Sequence, residues 1–182
     1  MKKILSCLLL IAYCLLFIVR PAFAGYVLPY PSYMPGSKLY RVSRIVDQLK
    51  KYWYFGNIAQ IKYHLGLADK YLVEAKTLME YKQYLLATDA LFRSDKEFLQ
   101  LPKYVGDAKK EKKDVSAFAA LIIEAAEIHA GVLSILASTV PEQFIWTPEK
   151  EKPTELNLSV LLRASQELRS RVAREILANV KQ

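Results

Sequence analysis

The chain has 182 residues, with 26 Lys and Arg against 18 Asp and Glu and a formal charge of +8. That modest basic excess suits an anionic surface but lacks the concentrated cationic footprint of a nucleic-acid-binding domain, so no nucleic acid is expected as a partner. The only cysteines, Cys7 and Cys14, lie near the start, so the remainder has no disulfide and depends on its core; a domain of about 150 residues buries roughly 68–70% of its unfolded surface, which is enough.

In residues 1–24, Lys2 and Lys3 precede an apolar run from Ile4 to Val19 that leads into Arg20-Pro21-Ala22-Phe23-Ala24. This is the plan of a cleaved signal peptide, with a basic start, an apolar stretch shorter than a spanning helix and an Ala-x-Ala cleavage site before Gly25. The competing reading is an uncleaved signal anchor, against which Pro21 and the small residues argue. Neither Cys7 nor Cys14 follows the small-residue box of a lipidation signal. The expectation is export, to the extracellular side or the cell envelope and to the periplasm if an outer membrane is present. Membrane contact is expected only through the signal segment before cleavage.

Residues 25–36 form an extended strap. Within "YVLPYPSYMPGSKLY", Pro29, Pro31 and Pro35 forbid helix, while the tyrosines can bury their rings and keep their hydroxyls wet. The strap reads as a clamp that fixes the first helix.

Residues 37–140 form the main helical domain. Behind Ser37 as N-cap, Leu39, Val42, Ile45, Val46, Leu49 and Trp53 recur at helical spacing, which predicts a first helix over 38–55. Gly56 breaks it and Asn57 caps a second helix bearing Ile58, Ile61, Leu65, Ala68, Leu72, Ala75 and Leu78. A turn at Tyr81-Lys82-Gln83 makes a third helix, with Tyr84, Ala87, Leu91, Ser94 and Phe98, the antiparallel neighbour of the second. A tetratricopeptide-like pattern in this pair occurs once, so it reads as hairpin packing, not a repeat array. The run GDAKKEKKD, 106–114, opens a fourth helix with Asp114 as its better start, because lysines oppose the dipole at a helix N-terminus. Pro141 ends it.

Residues 141–155 read as a polar, proline-containing connector, with Trp146 and its neighbours Phe144 and Ile145 tethering it to the bundle. Residues 156–182 form a C-terminal amphipathic helix with Leu158, Leu162, Leu168, Val172 and Ile176 on one side and Arg163, Glu167, Arg171 and Glu175 on a solvated face. No stretch shows strand alternation bounded by hairpin turns. The fold class is all-α: an irregular or extended bundle of about five helices behind the strap.

His64 and His129 lie near apolar stripes and read as packed or surface residues. Glu124, Glu127 and His129 lack Glu-x-x-His spacing, and a zinc site lacks cysteines. No nucleophile sits in a glycine-bounded elbow, the glycines form no phosphate loop, and Glu149 and Glu151 fall in the polar connector. No catalytic residue, cofactor or metal is expected. Aromatic density is the anomaly: Tyr26, Tyr30, Tyr33, Tyr40, Tyr52, Trp53, Tyr54 and Phe55 all fall within 26–55. Packing at the end of the bundle is the expected use of most of these rings; a stacking surface is the alternative, with Tyr30, Tyr33, Tyr52, Trp53 and Tyr54 as candidate partner or glycan contacts.

Two stretches carry a resemblance to a family of exported bacterial helical domains of unknown function. Leu28, Pro29, Pro35, Gly36, Ser37, Leu39 and Tyr40 match its lead-in, and Ala68, Asp69, Lys70, Leu72, Glu74 and Ala75 match an Ala-Asp/Glu-Lys/Arg-x-Leu-x-Glu-Ala run. The stretch from His129 to Phe144 is similar to the family's helix and Val-Pro-Glu exit, so the likeness covers about 28–144. Lys38 stands where many members carry proline, which loosens the lead-in. The resemblance implies no catalytic residues. The combined expectation is an exported, non-enzymatic interaction or structural module whose partner is an envelope protein or cell-wall polymer. The alternative is a glycan, cell-wall or small-ligand binder using the aromatic N-terminal region.

Overall fold

The computed structural model describes residues 25–150 and 152–181; the signal peptide expected over 1–24 lies outside them. The described elements are α1 (Lys38–Lys50), α2 (Asn57–Glu80), α3 (Tyr84–Phe98), α4 (Leu101–Lys110), α5 (Ser116–Thr139), β1 (Gln143–Trp146), β2 (Thr154–Asn157) and α6 (Leu158–Lys181). The fold is all-α apart from one small hairpin. The expected first, second, third and C-terminal helices are present, with three local corrections.

The first helix is shorter than its apolar spacing suggests. It begins as expected, the Ser37 hydroxyl accepting the Leu39 N–H at 3.3 Å. It stops at Lys50 and continues as turns in which the amides of Tyr52 and Trp53 reach back to Leu49 and Lys50 at 3.0 and 2.9 Å. Gly56 then takes a φ of +81°, open to glycine at little cost, and occupies the cap position of α2. Asn57 is not that cap: its amide donates to Glu111 Oε1 at 2.8 Å, joining the start of α2 to the end of α4.

The charged run does not open the long fourth helix. Pro102 sits in the first turn of a separate helix, α4, where its missing N–H costs nothing, and Lys109 and Lys110 fall in that helix's last turn, at the negative end of its dipole. Lys112 then adopts a φ of +59°, and the paired bonds Lys113 N–H to Ala108 O and Lys112 N–H to Lys109 O close the helix. The same closure ends α2 at Lys82, with φ +58° and bonds from Gln83 and Lys82 to Leu78 and Met79. Asp114 stands just ahead of α5, whose cap position is held by Val115, and its Oδ1 accepts the amide and hydroxyl of Ser116 in the first turn.

The connector is not irregular throughout. Its ends pair as antiparallel strands, with Phe144 opposite Leu156 and Trp146 opposite Thr154. Phe144 and Leu156 turn onto the bundle, the Phe144 ring meeting Tyr84 edge-on at 4.9 Å, so Phe144 tethers this segment more firmly than the half-exposed Trp146. The consecutive apolar residues of Phe144-Ile145-Trp146 hide the alternation that marks a strand.

Two large apolar clusters fill the interior, and a small third one joins Tyr63, Leu67 and Tyr71. One large cluster joins Ile61, Phe98, Val105, Ile122, Val172 and Ile176, and the other Leu72, Leu91, Leu133, Leu136, Leu158 and Leu162, so α6 packs along both. Among the described residues α5 alone has the length and mean hydropathy, 1.7, to cross a membrane, yet Ala119, Ile122, Ala125, Leu133 and Leu136 pack its inner side into these clusters.

The α2–α3 hairpin approaches closely through Ala68, Ala75, Ala87 and Ala90, all fully buried. Ala87→Leu is expected to lower unfolding stability by about 1–3 kcal/mol through overpacking, whereas the same analysis of Leu86→Ala, at a half-exposed neighbour, should show a much smaller change. Urea unfolding of both variants measures this.

Candidate interaction surface

An amphipathic helix ordinarily turns its apolar stripe to the core. Helix α1 does the reverse. Leu39, Val42, Ile45 and Leu49 are each 51–57% exposed and Val46 is 40% exposed, while the buried residue of the helix is Asp47.

The cause lies in the surface that α2 offers. Lys70 and Glu74 stand beside the buried rings of Tyr63 and Tyr71, and polar groups taken out of water need partners. The polar side of α1 supplies them. Asp47 pairs with Lys70, which also donates to Ser43 Oγ at 3.0 Å, and the Tyr63 hydroxyl donates to the Asp47 carbonyl at 2.9 Å. Tyr40 donates to Glu74 Oε1 at 2.6 Å and accepts from Arg93 of α3 at 2.8 Å. Burial raises the Glu74 carboxyl above its ordinary value, and the Tyr40 hydrogen bond and the Arg93 charge pull it back down.

These contacts explain the two stretches that carry the family resemblance. Gly36, with φ +97°, and Ser37 start α1, and Tyr40 meets Glu74 of the Ala-Asp-Lys-x-Leu-x-Glu-Ala run. Within that run, Lys70 holds Asp47, while Ala68, Leu72 and Ala75 are fully buried. The spacing of the run therefore alternates groups that build the core with groups that dock α1.

The five aromatic candidates stay largely outside the core. Tyr30 is 96%, Tyr52 74% and Trp53 72% exposed, Tyr33 is half exposed, and Tyr54 is the most covered, tilted against Tyr63 at 5.5 Å. The expectation that most such rings fill the bundle end is corrected: Tyr26 and Tyr40 are drawn in by carboxylates, and no comparable partner holds the rest. Nor do the five form one groove. Tyr30 and Tyr33 precede a 13-residue helix, about 20 Å long, and Tyr52, Trp53 and Tyr54 follow it.

The strap clamps the bundle more than α1. The Tyr26 hydroxyl donates to Asp69 Oδ2 of α2 at 2.5 Å, its amide donates to Glu124 Oε1 of α5 at 2.8 Å, and Leu28 and Met34 pack on the second apolar cluster.

Tyr26 is one end of a buried polar chain that sequence reasoning missed. Asp69 Oδ1 lies 2.8 Å from His129 Nε2, and Arg169 Nε donates to His129 Nδ1 at 3.2 Å. Arg169 also donates to Asp95 Oδ1 at 2.5 Å and Ser94 Oγ at 2.8 Å, and Ser165 donates to Asp95 Oδ2 at 2.6 Å. Because the guanidinium can only donate, Nδ1 accepts and the ring proton sits on Nε2, directed at Asp69. Both ring nitrogens are thus committed, and the ring is fully buried, so His129 has no free lone pair with which to take a substrate proton. Burial drives His129 below its ordinary value, against the pull of the Asp69 hydrogen bond and with the push of the Arg169 charge. The overlooked signal was in α6: its buried positions 158, 162, 165, 169, 172 and 176 follow a three-four repeat in which Ser165 and Arg169 occupy apolar places.

His64 is likewise packed, its Nδ1 2.6 Å from Glu97 Oε2 and its ring stacked on Tyr104 at 4.9 Å. Among the described residues no three His, Cys, Asp or Glu side chains converge as a metal-holding group.

Residues 32–143 match the family described as Domain of unknown function (DUF5667). The match spans well over half of the chain. This protein belongs to the DUF5667 family. No curated protein and no solved structure matches the chain. The DUF5667 region contains all of α1 and the α2 and α3 groups that dock it, whereas Tyr26 and Arg169, two members of the buried chain, lie on either side of it.

Arg169→Leu strands Asp95 and His129 Nδ1, and loss of one partner from such a buried pair costs about 3–5 kcal/mol. Urea unfolding should show that loss, and adding Asp95→Asn should recover part of it. The depressed His129 sets a pH dependence: below its ordinary value of 6.5 the unfolded chain binds a proton that the fold resists, because burial and the Arg169 charge outweigh the pull of Asp69. The contribution is full above about pH 6.5 and declines as the pH falls from there toward the lower folded value. The thermal midpoint of the parent should therefore fall more steeply below that pH than that of His129→Gln, a difference in which the opposite, raised titration of Glu74 cancels.

Proposed function

We propose that this protein is an exported, non-enzymatic helical module that works at the cell envelope by binding through the outward face of α1. One observation carries the reading: the inward side of the helix is taken up by Tyr40, Ser43 and Asp47 against α2, which leaves Leu39, Val42, Ile45, Val46 and Leu49 facing out as one stripe. Contiguous apolar surface of this kind marks interaction sites.

Export is supported by the basic, apolar and Ala-x-Ala pattern of residues 1–24. The non-enzymatic reading is supported by the closed polar chain, whose histidine spends both nitrogens on Asp69 and Arg169. The split of the five aromatic candidates between the two ends of α1 favours the helix face over a single glycan groove.

A photo-reactive diazirine side chain placed at Val42 in cells tests this. Mass spectrometry of the irradiated envelope should show adducts from Val42 and none from the same probe at exposed Glu167 on α6. Recovery of unmodified monomer alone from the Val42 probe would refute the proposed face.

A further inference from the structure

Resting on the reading of α1 as the binding face, we propose that its partner is the surface of an anionic lipid bilayer, on which the helix lies in plane. Charge selects this occupant. Lys38, Arg41, Lys50 and Lys51 are exposed along and beyond the apolar stripe, and the segment's one acid, Asp47, is turned inward and held by Lys70. The outer side of the helix therefore presents cations and apolar groups without an exposed carboxylate.

A second copy of the chain is a poor match, because facing two such helices would bring like charges together. Anionic headgroups complement the same pattern, and a basic amphipathic helix with aromatic residues on its apolar side seats at the headgroup boundary. The end of the helix adds to the fit. Tyr52, Trp53 and Phe55, each more than 70% exposed, are rings of the kind that favour the membrane interface, where an apolar body and a polar tip are both accommodated. Tyr40, Ser43 and Asp47 fix the opposite side to α2 and α3, so the apolar stripe is presented as a fixed ridge instead of being folded onto the core. This departs from the sequence expectation that the membrane is met only through the signal segment.

The full-length protein as exported by the cell is mixed with phosphatidylglycerol–phosphatidylcholine vesicles or with phosphatidylcholine vesicles alone. Binding is read by co-sedimentation and by Trp53 fluorescence in a Trp146→Phe background. Phosphatidylglycerol vesicles should bind the protein and shift Trp53 emission to the blue, and phosphatidylcholine alone should bind at least about tenfold more weakly, because cations near an anionic leaflet strengthen attachment. The double variant Val46→Glu, Leu49→Glu, altered only at exposed sites, should keep its circular dichroism and thermal midpoint and lose the anionic binding by a similar factor. Comparison with this variant also cancels any contribution from residues 1–24.

Equal binding to both vesicles, or equal binding by parent and double variant, would overturn the bilayer assignment. So would a concentration-dependent dimer that the double variant abolishes without vesicle binding, which gives the face to a second copy. If vesicle binding fails while the Val42 diazirine still captures a protein, the bilayer inference falls and the α1 binding face stands. If both fail, both fall.

Discussion

A fully buried guanidinium holds the arrangement together. Arg169 enters from α6, takes Asp95 and Ser94 of α3, and donates to His129 of α5, which in turn reaches Asp69 of α2 and through it Tyr26 of the strap. Phe98 lies beneath the guanidinium at 4.7 Å, so the charge is covered by a ring face as well as paired. Apolar packing alone would let helices slide past one another at small cost. A chain of directed hydrogen bonds in a place without water penalises each slip with an unpaired group, and here it fixes the register of four helices and one strap together.

The same rule, applied at the surface of α2, accounts for the unusual setting of α1. One side of α2 gives the core its alanines and leucines, and another leaves Lys70 and Glu74 needing partners. The helix that covers them must bring Tyr40, Ser43 and Asp47, and a helix has only one circumference. Once its polar side is committed inward, its apolar side has nowhere to go but out. An exposed apolar stripe is here the geometric consequence of satisfying buried charges, and the surface available for binding follows from it.

Most of the architecture was legible from periodicity: the strap, the Ser37 cap, the α2–α3 hairpin and the return of a long C-terminal helix all follow from apolar spacing and breakers. Orientation was not. The stripe of α1 looks like any core-facing stripe, because hydrophobic spacing reports that a helix has two faces and says nothing about which one a neighbour requires. The breaks at Lys82 and Lys112 were only partly readable, since lysine at a left-handed position carries none of glycine's signal. Arg169 was hidden for a related reason: charges four apart on α6 suggested a solvated face, and an arginine on the seam beside them is distinguishable only once Asp95 is known to face it.

The boundaries of the DUF5667 match add a further step. The matched region ends at Gln143, the first residue of β1, and begins at Ser32, after Tyr26. Inside it lies everything needed to dock α1 with its stripe outward; outside it lie Tyr26, Ser165 and Arg169, which complete the buried chain. The hairpin thereby acquires a role beyond connection. By pairing Phe144 with Leu156 and seating both on the bundle, it turns the chain so that α6 starts on the core at Leu158 and delivers Arg169 about three turns later. The binding face thus belongs to the matched region, and the strap and α6 act on it indirectly, by locking in place the α2 surface that obliges α1 to face outward.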